Sequence, residues 1–320
     1  MKIALISGIT GQDGAYLAKL LVDKGYKVYG LIRSFTGANT YRLEYLGIAG
    51  RVELLECDLQ DLSQVIKIVS SIRPQEFYNL AAQSSVSLSF QQPIGTIQFN
   101  INSVVNILEA IRLLDTSIRF YQASSSEMFG KIEELPITEE SKLHPLSPYA
   151  ISKVAGHHIT IHYRESYGLF ACCGILFNHE SYLRGNHFIV KKVITGAFDI
   201  LAGKKEFIEF GNLQVKRDFG FSKKYVEAMW LMLQQEKADE FVICSGQSVS
   251  LHDVVTYVFQ KMGVPLSAIR VNKNLFRPND IEDIYGSGEK AARVLGWDYN
   301  MNFFEVLDIL IEEERLHYAG

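Results

Sequence analysis

No uninterrupted apolar stretch in this sequence approaches the roughly 18 residues that a membrane-spanning helix needs, so no membrane partner is expected. There is no basic excess either. Lys and Arg number 32 against 36 Asp and Glu, for a net charge of -4. Binding to a phosphate backbone relies on clustered cations, so no nucleic-acid partner is expected. Cysteine is scarce, and Cys57, Cys172, Cys173 and Cys244 show no paired spacing. They read as buried free thiols in a reducing compartment. Met1 to Thr10 reads as a strand rather than a signal segment, and the expected location is cytoplasmic. There is no internal repeat and no low-complexity segment.

What is present is a rhythm. Short apolar runs alternate with helical patterns through the first two-thirds of the 320 residues. Strands are expected at Lys2–Ser7, Tyr26–Ile32, Arg51–Cys57, Glu76–Leu80, Arg119–Ala123 and Ala171–Phe177. Helices are expected at Ala15–Lys24, Ser63–Ile72, Gly95–Leu114 and Pro148–Tyr167. This alternation predicts an α/β fold of the Rossmann type, a doubly wound parallel sheet. After Phe177 the segments lengthen and become more polar, with loops expected at Asn178–Asn186 and Gly203–Asp218. The expected division is a dinucleotide-binding domain over 1–177 and a smaller, interleaved α/β substrate domain over 178–320. A return to the first is expected around 217–246, where Glu240–Cys244 is strand-like.

Directly after the first strand comes Gly8-Ile9-Thr10-Gly11-Gln12-Asp13-Gly14, then a helix. Glycines are needed where the chain turns tightly and its backbone approaches a pyrophosphate seated on a helix N-terminus. The expected cofactor residues here are Gly8, Thr10, Gly11, Gln12, Asp13 and Gly14. The second strand ends at Ile32-Arg33-Ser34, with no acid between Gly25 and Glu44. An acid there suits the ribose hydroxyls of NAD, whereas an arginine accommodates a 2′-phosphate. Arg33 therefore points to NADP rather than NAD. Asp58 and Leu59 follow the third strand, and Leu80, Ala81, Ala82 and Gln83 follow the fourth. All six are expected beside the cofactor.

Tyr149 and Lys153 stand four residues apart on one helix and share a face. Ser147 and Pro148 supply its start signal. A phenol is a poor base at neutral pH, and a nearby ammonium favours its ionised form. The pair can then take a proton from a sugar hydroxyl. Upstream, one strand runs into Ser124-Ser125-Ser126-Glu127, at the end where a parallel sheet presents ligands. Oxidation at C4 needs no carboxylate, but removing a proton from the carbon beside a new ketone does. His158 and His162 share a helix face, but no third ligand motif accompanies them, and no metal is expected.

These stretches together resemble the extended short-chain dehydrogenase/reductase family and, within it, the GDP-mannose 4,6-dehydratases. The resemblance rests on GITGQDGAYLAKLL, FYNLAAQSSVSLSF, FYQASSSEMFG, SPYAISK, YRESYGLFACCGILFNHES and GNLQVKRDFG. It implies a catalytic set of Ser125, Glu127, Tyr149 and Lys153, with Tyr149 and Lys153 also meeting the cofactor. It implies that Ser84, Asn178, Lys192, Arg217 and Arg277 bind a GDP-linked sugar. Lys191 and Lys216 are further cationic candidates for the diphosphate. The implied reaction oxidises C4, loses water across C5 and C6 and returns the hydride to C6. The family also implies a homodimer or homotetramer, with Gly95–Leu114 and Pro148–Tyr167 pairing in a four-helix bundle.

Three departures stand against the family pattern. Ser125 replaces a usual Thr, Tyr182-Leu183 replaces a usual Pro-Arg, and the chain is short before Arg277-Pro278. The tail RPNDIEDIYGS is similar to that of GDP-4-keto-6-deoxymannose reductases. Net redox at C4, by a dehydrogenase or a keto-sugar reductase, is therefore the alternative, and a cofactor-binding protein without turnover a third.

Overall fold

The computed structural model describes residues 1–277 and 279–318. Pro278, singled out above, and the last two residues of the expected second domain lie outside them. In chain order the strands are β1 (Ile3–Ser7), β2 (Lys27–Ile32), β3 (Val52–Glu56), β4 (Glu76–Asn79), β5 (Arg119–Ser125), β6 (Ala171–Leu176), β7 (Asn178–Glu180), β8 (Ile208–Phe210), β9 (Lys216–Phe221), β10 (Glu240–Ile243), β11 (Ser248–Ser250) and β12 (Ile269–Val271). The α-helices are α1 (Gln12–Asp23), α2 (Tyr41–Tyr45), α3 (Leu62–Ile72), α4 (Val86–Gln91), α5 (Pro93–Leu114), α6 (Pro148–Tyr167), α7 (Ile189–Leu201), α8 (Ser222–Met232), α9 (Leu251–Met262), α10 (Glu289–Leu295) and α11 (Phe303–His317).

Seven strands pair in parallel in the order β10-β6-β5-β4-β1-β2-β3. The order reverses between β1 and β4, and a crevice opens at the carboxyl ends of the strands at such a point. Successive side chains of a strand face opposite ways. Ala4 and Ile6 of β1 accordingly share a core with α1 and α8, while Leu5 shares one with α3 and α5. Burial on both faces is what makes these strands continuous apolar runs.

The remainder is built differently. β11, β9 and β7 form a three-stranded sheet and β12 pairs with β8. A separate core joins α7, α9 and α11 through Val193, Val258, Phe303 and Leu307. β10 crosses back to pair with β6 at the edge of the main sheet. Its outer edge is covered by a carboxylate, since the Val242 N–H donates to Glu139 at 2.7 Å. An unpaired edge otherwise invites another strand.

Several boundaries differ from the expected ones. α1 begins at Gln12 rather than Ala15, which places Asp13 and Gly14 inside its first turn. β5 continues to Ser125, two residues past the expected Ala123. The expected loops contain β7, β8 and the start of β9, because three-residue strands are too short to show an alternating pattern. All four cysteines are free and buried. Among the described residues no helix is long and apolar enough to cross a membrane. His157, on the same helix as the other two histidines, is turned inward to the Ser124 hydroxyl at 3.0 Å.

Candidate active site

A cleft of about 1110 Å³ lies over the crevice of the main sheet. Its floor is the glycine loop. Gly8 adopts φ +73°, and a Cβ there would come within 2.8 Å of the Ala81 nitrogen. A Cβ on Gly14 would sit 2.2 Å from the Gly8 carbonyl oxygen. Only glycine allows the turn to close this tightly and leaves the free amides of the first turn of α1 open to an anion. Thr10, Gly11, Gln12 and Asp13 also line the cleft, as do Arg33, Asp58, Leu59, Leu80, Ala81 and Ala82. These residues fit a dinucleotide: a cradle without side chains at the pyrophosphate position and an exposed guanidinium beyond it.

Two side chains of the loop are turned to another task. Asp13 accepts from the Ser222 hydroxyl at 2.8 Å and meets the His179 ring at 2.9 Å. Burial pushes its carboxyl pKa up, but the His179 charge and hydrogen bond outweigh this and hold it well below the usual carboxylate range. Gln12 donates to the His179 carbonyl at 3.1 Å and accepts from Ser181 at 2.7 Å. Together they tie α1 to β7 and α8. Gln83 is not among the lining residues of this cleft. Its amide accepts from the Ser85 N–H at 2.6 Å and donates to Thr96 at 3.0 Å, which shapes the loop before α4.

The wall opposite carries Ser124, Ser125, Glu127, Tyr149 and Lys153. Ser147 caps α6 by accepting from the Ala150 N–H at 3.1 Å. Lys153 Nζ donates to the Ala123 carbonyl at 2.8 Å and lies 5.7 Å from the centre of the Tyr149 ring. Burial pushes the Lys153 ammonium down to about 8. Burial also pushes the Tyr149 phenol up to about 12, opposed by the nearby Ser125 hydroxyl. The expected lowering of the phenol by its lysine is thus not among the influences on it. The ammonium is committed to a carbonyl and desolvation wins. Glu127 sits in the short turn Ser126–Met128, its N–H donating to Ser125 at 3.3 Å.

The far wall is cationic. Ser84, Asn178, Lys192, Arg217 and Arg277 all line the cleft. Arg217 is buried and donates to Asp280 at 2.7 Å and to the Ile281 carbonyl at 2.6 Å. Arg277 is held only loosely, 3.8 Å from Glu127 and 3.7 Å from Asp280. Lys191 and Lys216 do not line the cleft. Lys191 is consumed in a buried pair with Glu314, and Lys216 faces Asp283 at 3.9 Å. Nor does Tyr182-Leu183. Leu183 is fully buried in the core, and Tyr182 packs 5.0 Å from the Tyr45 ring. At these positions the side chains pack away from the cleft, while the Leu183 carbonyl accepts from Arg42, a cleft-lining residue, at 2.8 Å. His179, Glu180, Arg184 and Asp280 line the site without having been singled out in sequence. The i,i+4 pair Glu180 and Arg184, just past the expected strand Ala171–Phe177, was the available signal.

A family model described as GDP-mannose 4,6 dehydratase matches residues 5–310. The chain belongs to that family. GDP-mannose 4,6 dehydratase 2 of Caenorhabditis elegans is 40% identical over 98% of this chain and 89% of its own length. GDP-mannose 4,6-dehydratase of Sinorhizobium fredii is 37% identical over 100% of this chain and 98% of its own. Among solved structures, a UDP-glucose 4-epimerase from Thermotoga maritima with UDP-glucose superposes with a TM-score of 0.88 at 21% identity, covering 99% of this chain and 100% of that one. The same fold thus carries both the dehydratase family and an epimerase, and the assignment to the dehydratase family rests on the sequence matches.

Proposed function

We propose that this chain is a GDP-sugar 4,6-dehydratase that uses NADP as a recycled cofactor. The observation that carries the reading is one cleft holding Tyr149, Lys153, Ser125 and Glu127 on one wall and Lys192, Arg217 and Arg277 on another. A diphosphate has two negative charges for which Arg and Lys are the matching partners. That end anchors the substrate and leaves the sugar between the two walls. Held by the glycine loop and Arg33 in its oxidised form, the dinucleotide would supply the hydride acceptor for C4. Tyr149, beside Ser125 in the same wall, takes the proton of the C4 hydroxyl. The C4 ketone acidifies the proton on C5; Glu127 removes it and passes it to the C6 oxygen, which leaves as water, and the proton held by Tyr149 is available to C5 when the hydride taken from C4 is returned to C6. Lys153 holds the end of β5 through the Ala123 carbonyl, on the same helix face as Tyr149. Arg33 at the end of β2 supports NADP over NAD, because no acid precedes Glu44 in that loop.

The experiment is product analysis with catalytic NADP and GDP-mannose. A product lighter by one water, with no net NADPH absorbance, is expected. Stoichiometric NADPH with a 4-keto sugar that keeps its C6 oxygen, or net NADPH consumption, would sink the reading in favour of redox at C4.

A further inference from the structure

Beneath the cleft runs a chain of buried side chains that the proposed chemistry leaves unused. The Ala81 N–H donates to Ser7 Oγ at 3.3 Å, and the Ser7 hydroxyl donates to Asn79 Oδ1 at 2.6 Å. Asn79 Nδ2 donates to Gln122 Oε1 at 2.8 Å, and Gln122 Nε2 to the Ala123 carbonyl at 3.2 Å. The chain crosses the carboxyl ends of β1, β4 and β5. It starts at a group that only donates and ends at one that only accepts, so the direction of every link is fixed, and with it the orientation of both amides. Ser7, Asn79 and Gln122 are at most 3% exposed. None of the three lines the cleft, whereas Ala81, Ala123 and Lys153 do.

The last link meets the catalytic wall. The Ala123 carbonyl also accepts from Lys153 Nζ at 2.8 Å, so two side chains donate to one oxygen. β4 ends at Asn79, opposite Gln122, and has no residue paired with Ala123. For holding the fold one of the two donors is redundant, because a buried carbonyl is satisfied by either. The redundancy matters for Lys153, which shares a helix face with Tyr149 and lies 5.7 Å from its ring centre. Were Lys153 the sole donor, turning towards the phenol would strand a buried acceptor, a penalty that slows a step by roughly five- to 150-fold. With Gln122 in place the carbonyl keeps a partner. Burial alone acts on the Lys153 ammonium, lowering it to about 8, and no charged side chain holds it back. Besides burial, the groups acting on the phenol are Ser125, Glu127, Arg184 and Asp13.

We infer that Gln122 is a positioning residue for the oxidation at C4: by sharing the Ala123 carbonyl it frees Lys153 to turn its ammonium to the Tyr149 phenol as that phenol takes its proton. An ammonium beside the phenol favours its ionised form. The inference rests on the reading of Tyr149 as the base at C4, and it holds whether water loss or net redox follows. Asn79 and Ser7 act through Gln122. They hold its amide the right way round, since a flipped amide would set oxygen against the Ala123 oxygen and nitrogen against the Asn79 amide nitrogen.

The test removes the donor and keeps the volume, in Gln122→Met. One readout needs no turnover: the Lys153 ammonium titrated through the NMR signal of its ε-carbon in the chain alone, assigned by the loss of that signal in Lys153→Arg. As the carbonyl's sole donor, Lys153 should be held more firmly in its charged form, and its titration should move up by about one pH unit. The other readout is the single-turnover rise in NADPH absorbance with GDP-mannose, in chains that also carry Glu127→Gln so that the reaction halts after C4. Gln122→Met should slow this rise by about ten-fold at neutral pH and displace its pH profile upward by about one unit. The half-saturating GDP-mannose concentration should stay within about two-fold. If Gln122→Met does not fold, Asn79→Leu with Gln122→Met gives the same readouts, because replacing both partners by apolar groups leaves no bare amide between them. An unmoved Lys153 titration overturns the inference and leaves the reading of Tyr149 standing. A rise slowed equally at every pH does the same, since it marks a structural role alone. No NADPH rise in Glu127→Gln itself overturns both.

Discussion

The two walls of the cleft are assembled by different means. On the cofactor and catalytic side, the working groups are set by neighbours in sequence: glycines three residues apart, Tyr149 and Lys153 one turn apart, Ser125 at the end of β5 and Glu127 in the short turn that follows it. On the sugar side, the cations reach partners further along the chain. Arg217 is aimed by Asp280, 63 residues on, and Lys192 donates to the Glu209 carbonyl, 17 residues on. A local arrangement survives changes elsewhere in the chain. A distant one depends on the packing of the whole second core, and changes there can retune the substrate without disturbing the cofactor.

The largest effect is expected where local geometry and chemistry coincide. Glu127→Gln keeps the shape of the turn and removes the base. Dehydration should fall by about 10²–10⁴, while oxidation at C4 persists as a single-turnover rise in NADPH absorbance. Tyr149→Phe should abolish both signals. An unchanged rate of water loss in Glu127→Gln would assign the C5 proton to another group.

The next effect compares one buried carboxylate from each region. Asp13 lies below the usual range, so its contribution to stability is present above the unfolded value near 3.8 and is lost as pH falls further. Asp218 behaves oppositely. It is fully buried and accepts from Ser245, Gly246 and Gly286, yet burial pushes its carboxyl up to about 6. Its contribution is complete below pH 3.8 and is lost as pH rises through about 6. A shift of this size corresponds to about 3 kcal/mol. Denaturant unfolding at pH 4, 5 and 6 should show this slope in the unmodified chain. Asp218→Asn should be weaker throughout, because an amide nitrogen would face backbone donors, but its slope should be flatter. Parallel pH profiles would remove Asp218 as the cause.

Within the glycine loop the comparison is graded by distance. A Cβ at Gly14 meets a backbone oxygen at 2.2 Å, and one at Gly11 meets the same oxygen at 3.1 Å. Overpacking typically costs about 1–3 kcal/mol. Gly14→Ala should reach the upper end and weaken NADP binding with it, whereas Gly11→Ala should remain near the lower end. Thermal unfolding with and without NADP separates the two terms. Equal penalties would show that the loop relaxes freely.

How much of this was legible in the sequence follows the same division. The inner strands of the main sheet are buried on both faces, so β1, β2 and β6 stood out as apolar runs, and the loop glycines and the Tyr149–Lys153 face were visible by spacing. The three-residue strands β7 and β8 were read as loop. The charge of Lys191 looked available and is consumed by Glu314 across the second core. Gln83 looked like a cofactor residue because of its place after β4, yet its amide closes a turn. His179 was invisible because its role depends on Asp13, 166 residues earlier. Spacing records what a residue's neighbours allow; it does not record which distant partner has already taken the side chain.

The smallest effect is expected at Arg33, where the cofactor wall meets water. Its guanidinium is exposed and stacks only loosely on Phe99, 5.9 Å from the ring centre. The acid that reaches this loop, Glu56, is occupied by the Phe35 N–H at 2.6 Å. A 2′-phosphate at Arg33 would therefore meet a cation whose charge is not cancelled by a carboxylate in hydrogen-bond contact. Hydrogen bonds to charged groups contribute about 1.5–3 kcal/mol, but solvent and salt screen an exposed pair towards the lower end. Replacing Arg33 by Ser should therefore weaken NADP binding by roughly ten-fold and leave NAD binding unchanged. Arg33→Asp should reverse the preference, because the new acid suits the ribose hydroxyls and repels a phosphate. Raising the salt concentration should narrow the NADP advantage of the unmodified chain and leave Arg33→Ser unaffected. Equal or tighter binding of NAD by the unmodified chain would refute the NADP assignment, while the catalytic wall, fixed by its own local geometry, would keep its role with either cofactor.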